Sequence, residues 1–270
     1  MQIGELKEKA YKKTRHNWYA LNVTHRCSIL IVKLIYKRDI SPDFITLLSI
    51  ISGLIACAFF LLAGPFSCLI GALFLQGFYI LDAVDGQLAR AQGRPSTTGA
   101  YFDYISNHIV HSLVFITIGL GLYRHTASPL YMFAGFLAGW GMLFMYIIYD
   151  AGYNILFNTA RKGMGEARQG DSIEVLTGHA KRSFMVLHWL CTYPAIMNVI
   201  TMAALLNLIF FSGNGVIFRC LIVFYAVSLN AVWFLKFLKR IKIKELDSIG
   251  NCTRLPNAIK RGDFKGGDRP

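Results

Sequence analysis

Residues 81–108 read LDAVDGQLARAQGRPSTTGAYFDYISNH and place three Asp residues beside long apolar runs. A turn at 92–98 divides the stretch into the end of one helix and the start of another. On the first helix, Asp82, Asp85, Gly86 and Ala89 share a face through i+3 and i+4 spacing, which sets two carboxylates beside two near-absent side chains. The second helix begins at Gly99 and carries Asp103 and Asn107 one turn apart. Two antiparallel helices can therefore aim four oxygen-bearing side chains at one another.

The surroundings decide what such a pair is embedded in. Of the 270 residues, 54% are hydrophobic and 16% charged, with a mean hydropathy of +0.44, which is too apolar for an ordinary soluble domain. The fold class is all-α, a polytopic membrane protein. A span needs roughly 20 apolar residues, and two of the charge-free windows are long enough to fold back at Gly64-Pro65 and at Ser212-Gly213-Asn214-Gly215. Six transmembrane helices are predicted, at about Phe44–Ala63, Leu69–Ala91, Gly99–Tyr123, Pro129–Phe157, Phe184–Phe211 and Gly215–Lys239. Nine Lys and Arg precede Phe44, five lie in 158–183 and ten follow from Lys236 onward, whereas the turns at 64–68 and 212–214 hold none. That alternation puts both termini and the acids on the cytoplasmic side of a multi-pass protein, in the inner membrane if the cell is prokaryotic.

Three regions follow. Residues 1–43 form a cytoplasmic, interfacial segment in which CSILIVKLIY is too short to cross the bilayer and reads as an amphipathic helix under the headgroups. Residues 44–239 form the six-helix unit, and 240–270 a basic, Gly-rich tail of disordered composition. Ser41 and Pro42 suit the N-cap and first turn of the first span. The net charge of +13 is accounted for by basic flanks facing anionic lipid, and no basic-aromatic module points to nucleic acid. Six cysteines without paired metal spacing read as small apolar residues in a reducing setting. The N-terminus shows no signal-peptide pattern.

Carboxylates near a bilayer are costly unless they are paired, hydrated or metal-bound. Arg90 is the near partner in sequence, so three acids point to a divalent cation. Hard oxygen donors suit Mg²⁺ or Mn²⁺, whose open positions commonly go to phosphate oxygens. The bland reading is that Asp82 and Asp85 lie at the membrane surface with Arg90 and Arg94 as counter-ions. A divalent-cation transporter is a further alternative, but transporter sites tend to the bilayer midplane, and these acids sit only a few residues inside a turn.

The run Asp82-x-x-Asp85-Gly86-x-x-Ala89-Arg90, eight residues, Gly99-x-x-x-Asp103-x-x-x-Asn107 resembles the signature of the CDP-alcohol phosphotransferase family, D-x-x-D-G-x-x-A-R-x8-G-x3-D-x3-D, with Asn107 in place of the last Asp. Ser41-Pro42-Asp43-Phe44-Ile45-Thr46 is similar to the family's Pro-Asn-x-x-Thr entry to its first span, with Asp43 where Asn is common. The resemblance implies a membrane enzyme of phospholipid-biosynthesis type that displaces CMP from a CDP-linked donor by an alcohol acceptor. It implies that Asp82, Asp85, Asp103 and the position of Asn107 hold Mg²⁺ or Mn²⁺, as one or two ions and two in the usual count. Gly86, Ala89 and Gly99 would leave room for the nucleotide, Arg90 would pair with phosphate, and Pro42 and Thr46 would lie near the cytidine.

In the family the fourth Asp is both a metal ligand and the base. An amide has no useful basicity, and losing a general base typically costs about 10²–10⁴-fold, so the chain is expected to be weak or inactive as written. The alternatives are a natural member with a His base, His108 or His111, an imidazole being able to titrate near neutrality, and a binding-only homologue. Candidate acceptor contacts are Arg161, Lys162, Arg168, Lys181 and Arg182, which positive-inside flanking explains equally well. The expected partners are the CDP-linked donor, an alcohol acceptor, membrane lipids and a second copy of the chain in a homodimer.

Overall fold

The structure is a computed structural model that describes residues 23–163, 188–210 and 215–242, with the side chains of 153, 156–163 and 242 excepted. In chain order the helices are α1 His25–Ile35, α2 Pro42–Leu62, α3 Pro65–Gln92, α4 Thr97–Thr126, α5 Pro129–Gly163, α6 Ala195–Phe210 and α7 Val216–Lys242. Five of them are long and apolar enough to cross a membrane: α2, α3, α4, α5 as far as Gly152, and α7 as far as Ile241. The apolar α6 has 16 described residues, roughly 24 Å of helix. The N-terminal residues 1–22, the 164–187 segment and the tail from 243 lie outside the described residues.

Caps decide where the helices begin. Ser41 Oγ accepts from the Phe44 N–H at 3.2 Å and Pro42 occupies the first turn of α2, as its sequence suggests. Pro65 likewise opens α3, so this helix begins four residues before Leu69 and the α2–α3 hairpin is only Ala63 and Gly64, with Ala63 left-handed at φ 52°. At the polar elbow α3 ends on Gly93 at φ 67°, a conformation that Gly adopts without steric cost. Ser96 Oγ then accepts from the Gly99 N–H at 2.8 Å, which starts α4 at Thr97 rather than at Gly99.

The buried interior is built from Phe60, Phe78, Phe115, Phe218 and Tyr225 with smaller residues around them. A Cβ on Gly119 would stand 2.6 Å from Gly135 Cα, so α4 and α5 cross with their backbones in contact, as small residues allow between membrane helices. Phe133, Phe136, Leu137 and Trp140 of α5 point outward and are exposed, which suits a hydrocarbon surround rather than water. The short α1 buries Ser28, Ile29 and Val32 and packs on Val84 and Leu88 of α3, leaving Leu30 and Leu34 outside. Its amphipathic character fits the interfacial position expected of it.

α2 packs extensively against both α3 and α4, whereas α3 and α4 barely meet. The two helices that carry the acids are thus splayed from their shared elbow, and α2 reaches the space between them with its N-terminal half.

Candidate metal and donor site

The side chains bridge what the backbones leave open. Asn107 Nδ2 on α4 donates to Asp82 Oδ1 on α3 at 2.7 Å and to Asp103 Oδ1 one turn earlier on its own helix at 3.0 Å. The nitrogen faces the acids for an electrostatic reason, since the amide oxygen in that position would oppose two carboxylate oxygens. Asp85 lies on the same face one turn beyond Asp82 but turns toward α2, where Thr46 Oγ1 donates to its Oδ2 at 2.6 Å. This pair is buried, with Asp85 5% and Thr46 3% exposed. The Thr46 hydroxyl also lies 3.3 Å from the Pro42 carbonyl of the preceding turn.

Three carboxylates therefore gather around two neutral donors. Among the described residues no three His, Cys, Asp or Glu side chains stand close enough to hold a metal ion as placed, because Asp85 is drawn to Thr46 while Asp82 and Asp103 are drawn to Asn107. In its chemistry the set fits a hard divalent cation: all three acids are oxygen donors, and Asp82 and Asp103 already share one neighbour. The Asn107 nitrogen does not fit as a ligand in this orientation.

The remaining expected site residues surround this group. Arg90 is exposed on the last turn of α3 and folds back, so that a Cβ on Gly86 would lie 3.3 Å from its Nη1. Gly86 is thus the floor beneath a guanidinium. Ala89 is half-buried on the same helix. A Cβ on Gly99 would come within 2.8 Å of both Asp43 Oδ1 and Ser96 Oγ, so Gly99 as it stands makes room for the N-terminus of α2 rather than for open space. Thr46, expected beside the nucleotide, is committed to Asp85, and Pro42 is half-buried one turn before it. The side chains of Arg161, Lys162, Arg168, Lys181 and Arg182 lie outside the described residues.

Two imidazoles stand near Asn107 in sequence, and both turn to α5. His111 is buried; its Nδ1 bonds the Tyr146 hydroxyl, and its ring stacks on Tyr193 with centroids 3.5 Å apart and meets Phe78 edge-on at 5.6 Å. His108 bonds the Tyr104 carbonyl through Nδ1 at 2.6 Å and sets Nε2 3.7 Å from Asp150 Oδ2. Sequence spacing alone could not find the Tyr146, Tyr193 and Asp150 partners, which come from other segments. A cluster of Lys236 on α7, His188 and Tyr149 on α5 also went unanticipated. Lys236 Nζ lies 3.1 Å from His188 Nδ1 and 4.2 Å above the Tyr149 ring.

Residues 39–211 match the family model described as CDP-alcohol phosphatidyltransferase. The bifunctional IPC transferase and DIPP synthase of Thermococcus kodakarensis is 30% identical over 129 residues, covering 48% of this chain and 28% of that protein. Its namesake from Archaeoglobus fulgidus is 37% identical over 91 residues, 34% of this chain and 18% of that protein. The chain spans less than a third of the length of these curated relatives. The apo crystal structure of Mycobacterium tuberculosis phosphatidylinositol phosphate synthase superposes with a TM-score of 0.51 at 15% identity, covering 78% of this chain and 95% of that one, a likeness of fold.

Proposed function

The chain belongs to the CDP-alcohol phosphatidyltransferase family, and from that premise we propose that it binds a CDP-linked donor such as CDP-diacylglycerol and transfers the donor's lipid-bearing phosphoryl group to an alcohol. In this reaction the acceptor hydroxyl oxygen forms a bond to the distal phosphorus and gives up its proton to water, the bridging P–O–P bond breaks, and CMP leaves with that electron pair. The family is divalent-cation dependent, and Mg²⁺ or Mn²⁺ held by Asp82, Asp85 and Asp103 would neutralise charge on the diphosphate. Thr46 fixes the rotamer of Asp85 and Asn107 ties Asp82 to Asp103, which keeps the acids near the shape that the donor requires. Arg90, which lies over Gly86, would pair with a phosphate oxygen. The acids face the cytoplasm in this reading, on the strength of the Lys and Arg distribution, and a second copy of the chain is the expected homodimer partner.

The observation that carries the reading is the pairing of Asn107 with Asp82 and Asp103 at 2.7 and 3.0 Å. The amide keeps the place of the family's fourth Asp but accepts no proton from the acceptor, so transfer is slow. His111 does not compensate, since its ring is buried and enclosed by Tyr193 and Phe78. Release of CMP from CDP-diacylglycerol, surveyed over a panel of alcohols, tests this. Asn107→Asp should raise the rate by about two orders of magnitude, the usual worth of a general base. Unchanged release with an acceptor that the protein binds would refute the lost-base assignment.

A further inference from the structure

A groove of about 700 Å³ runs between α5 and α7, walled by Phe144, Ile147 and Ile155 of the first and Trp233, Phe237 and Ile241 of the second. Ile147, Ile155 and Ile241 are each more than half exposed, so the groove opens toward the hydrocarbon. From Phe144 to Ile155 it follows α5 for roughly 16 Å, about half of a bilayer core of roughly 30 Å and so the depth of one leaflet. Its head is polar. Arg240 lines the groove where the membrane-spanning parts of α5 and α7 end, at Gly152 and Ile241. Nη1 donates to the Ile148 carbonyl, and the guanidinium sits over Gly152 so closely that a Cβ there would stand 2.5 Å from Nη1. Its Cζ lies 5.9 Å from the centre of the Tyr149 ring, which the Lys236 ammonium also covers at 4.2 Å. Among the described residues no carboxylate comes within ion-pair distance of Arg240. A guanidinium carries five N–H donors, and a cation at the edge of the hydrocarbon calls for an anion.

We propose that the α5–α7 groove holds one anionic phospholipid of the surrounding bilayer, an acyl chain along the apolar walls and the phosphate on Arg240. Gly152 makes the seat for the guanidinium, and the Ile148 carbonyl fixes its direction. Lys236 stands one turn before Arg240, and Lys239 beside it; this basic head disfavours a lipid whose headgroup adds a cation next to its phosphate. A second copy of the chain fits less well, because two parallel copies meeting here would set the same basic helix end against itself. The groove is also a different place from the donor site: neither helix carries an acid of the elbow, and the two pack on each other, α5 otherwise on α4 and α7 mainly on α6. The inference needs a membrane protein and not the transfer reaction.

Native mass spectrometry of the full chain, released from nanodiscs of equal parts phosphatidylglycerol and phosphatidylcholine, counts the lipid that stays bound. Wild type should retain phosphatidylglycerol in preference to phosphatidylcholine, at about one per chain. Arg240→Gln should lower that preference by about 10-fold or more, as loss of a charge-assisted hydrogen bond does, whereas Arg240→Lys, which keeps a cation, should keep much of it. Ala151→Trp, which fills the groove from an exposed position, should abolish retention. Brominated phosphatidylglycerol should quench Trp233, read as the difference in quenching between wild type and Trp233→Phe. Equal retention of the two lipids by wild type overturns the proposal, and so does unchanged retention in Arg240→Gln and Ala151→Trp chains that circular dichroism shows to be folded. Loss of a dimer rather than of lipid in Ala151→Trp would mean that a second copy covers the groove, which also overturns it. Each of these outcomes leaves the proposed function standing, since none reads CMP release.

Discussion

The Thr46 hydroxyl is the part of the site whose contribution can be worked from geometry. It donates at 2.6 Å to a carboxylate that is only 5% exposed, so water cannot replace it cheaply. Thr46→Val keeps the shape and removes the donor. A hydrogen bond to a charged group contributes about 1.5–3 kcal/mol, and about 1.4 kcal/mol is a factor of ten in affinity. If the bond serves to hold Asp85 ionised and aimed for a cation, Mn²⁺ affinity should fall by roughly 10- to 100-fold in Thr46→Val. Thr46→Ser, which restores a hydroxyl at the same Cβ, should recover most of the loss. Titrating Mn²⁺ into the solubilised protein measures both, and circular dichroism reports whether the fold survives. Equal affinity in Thr46→Val and wild type would show that the hydroxyl caps a buried acid with no part in cation binding. In the double variant with Asp85→Asn the effect of Thr46→Val should shrink towards zero, because the two residues act through one bond.

Two further outcomes follow from the packing and from the charge pattern. Gly119→Val should lower the melting temperature in detergent, at a cost of about 1–3 kcal/mol or more, since the new Cβ meets the backbone of Gly135 at 2.6 Å and no side chain can move aside; an unchanged melt would mean that α4 and α5 do not cross there. A cysteine at Pro95 in the elbow between α3 and α4, in a background without the six native cysteines, should react with an impermeant maleimide only from the cytoplasmic side, and labelling from the outside alone would invert the topology.

The apolar runs, the breakers and the caps are local properties, and they were legible. Ser41 with Pro42 marks a helix start because a Pro in the first turn sacrifices no hydrogen bond, whereas Pro65, read as part of the turn, opens α3. The acids could be placed on one face of α3 and one face of α4 because the helical repeat needs only spacing. Even the departure at Asn107 could be read, as an amide where the family signature has Asp.

Which partner each acid takes was not legible, because it depends on the rotation and depth of one helix against another. Thr46 and Asp85 are 39 residues apart, and His111 and Tyr193 are 82 apart; nothing in either local pattern selects the other. In a membrane this blindness is deeper than in a soluble bundle. Lipid-facing and core-facing sides are both apolar, so hydropathy around a span carries little information on which face turns inward. The sequence by itself determined that there are membrane helices and an acidic elbow whose pattern ends on an amide, Asn107. Only the tertiary structure decided that α2 enters between the acid-bearing helices, that Asp85 is held by Thr46, and that the Asn107 nitrogen bridges Asp82 and Asp103, because those choices follow from how close-packed side chains lock one span against the next.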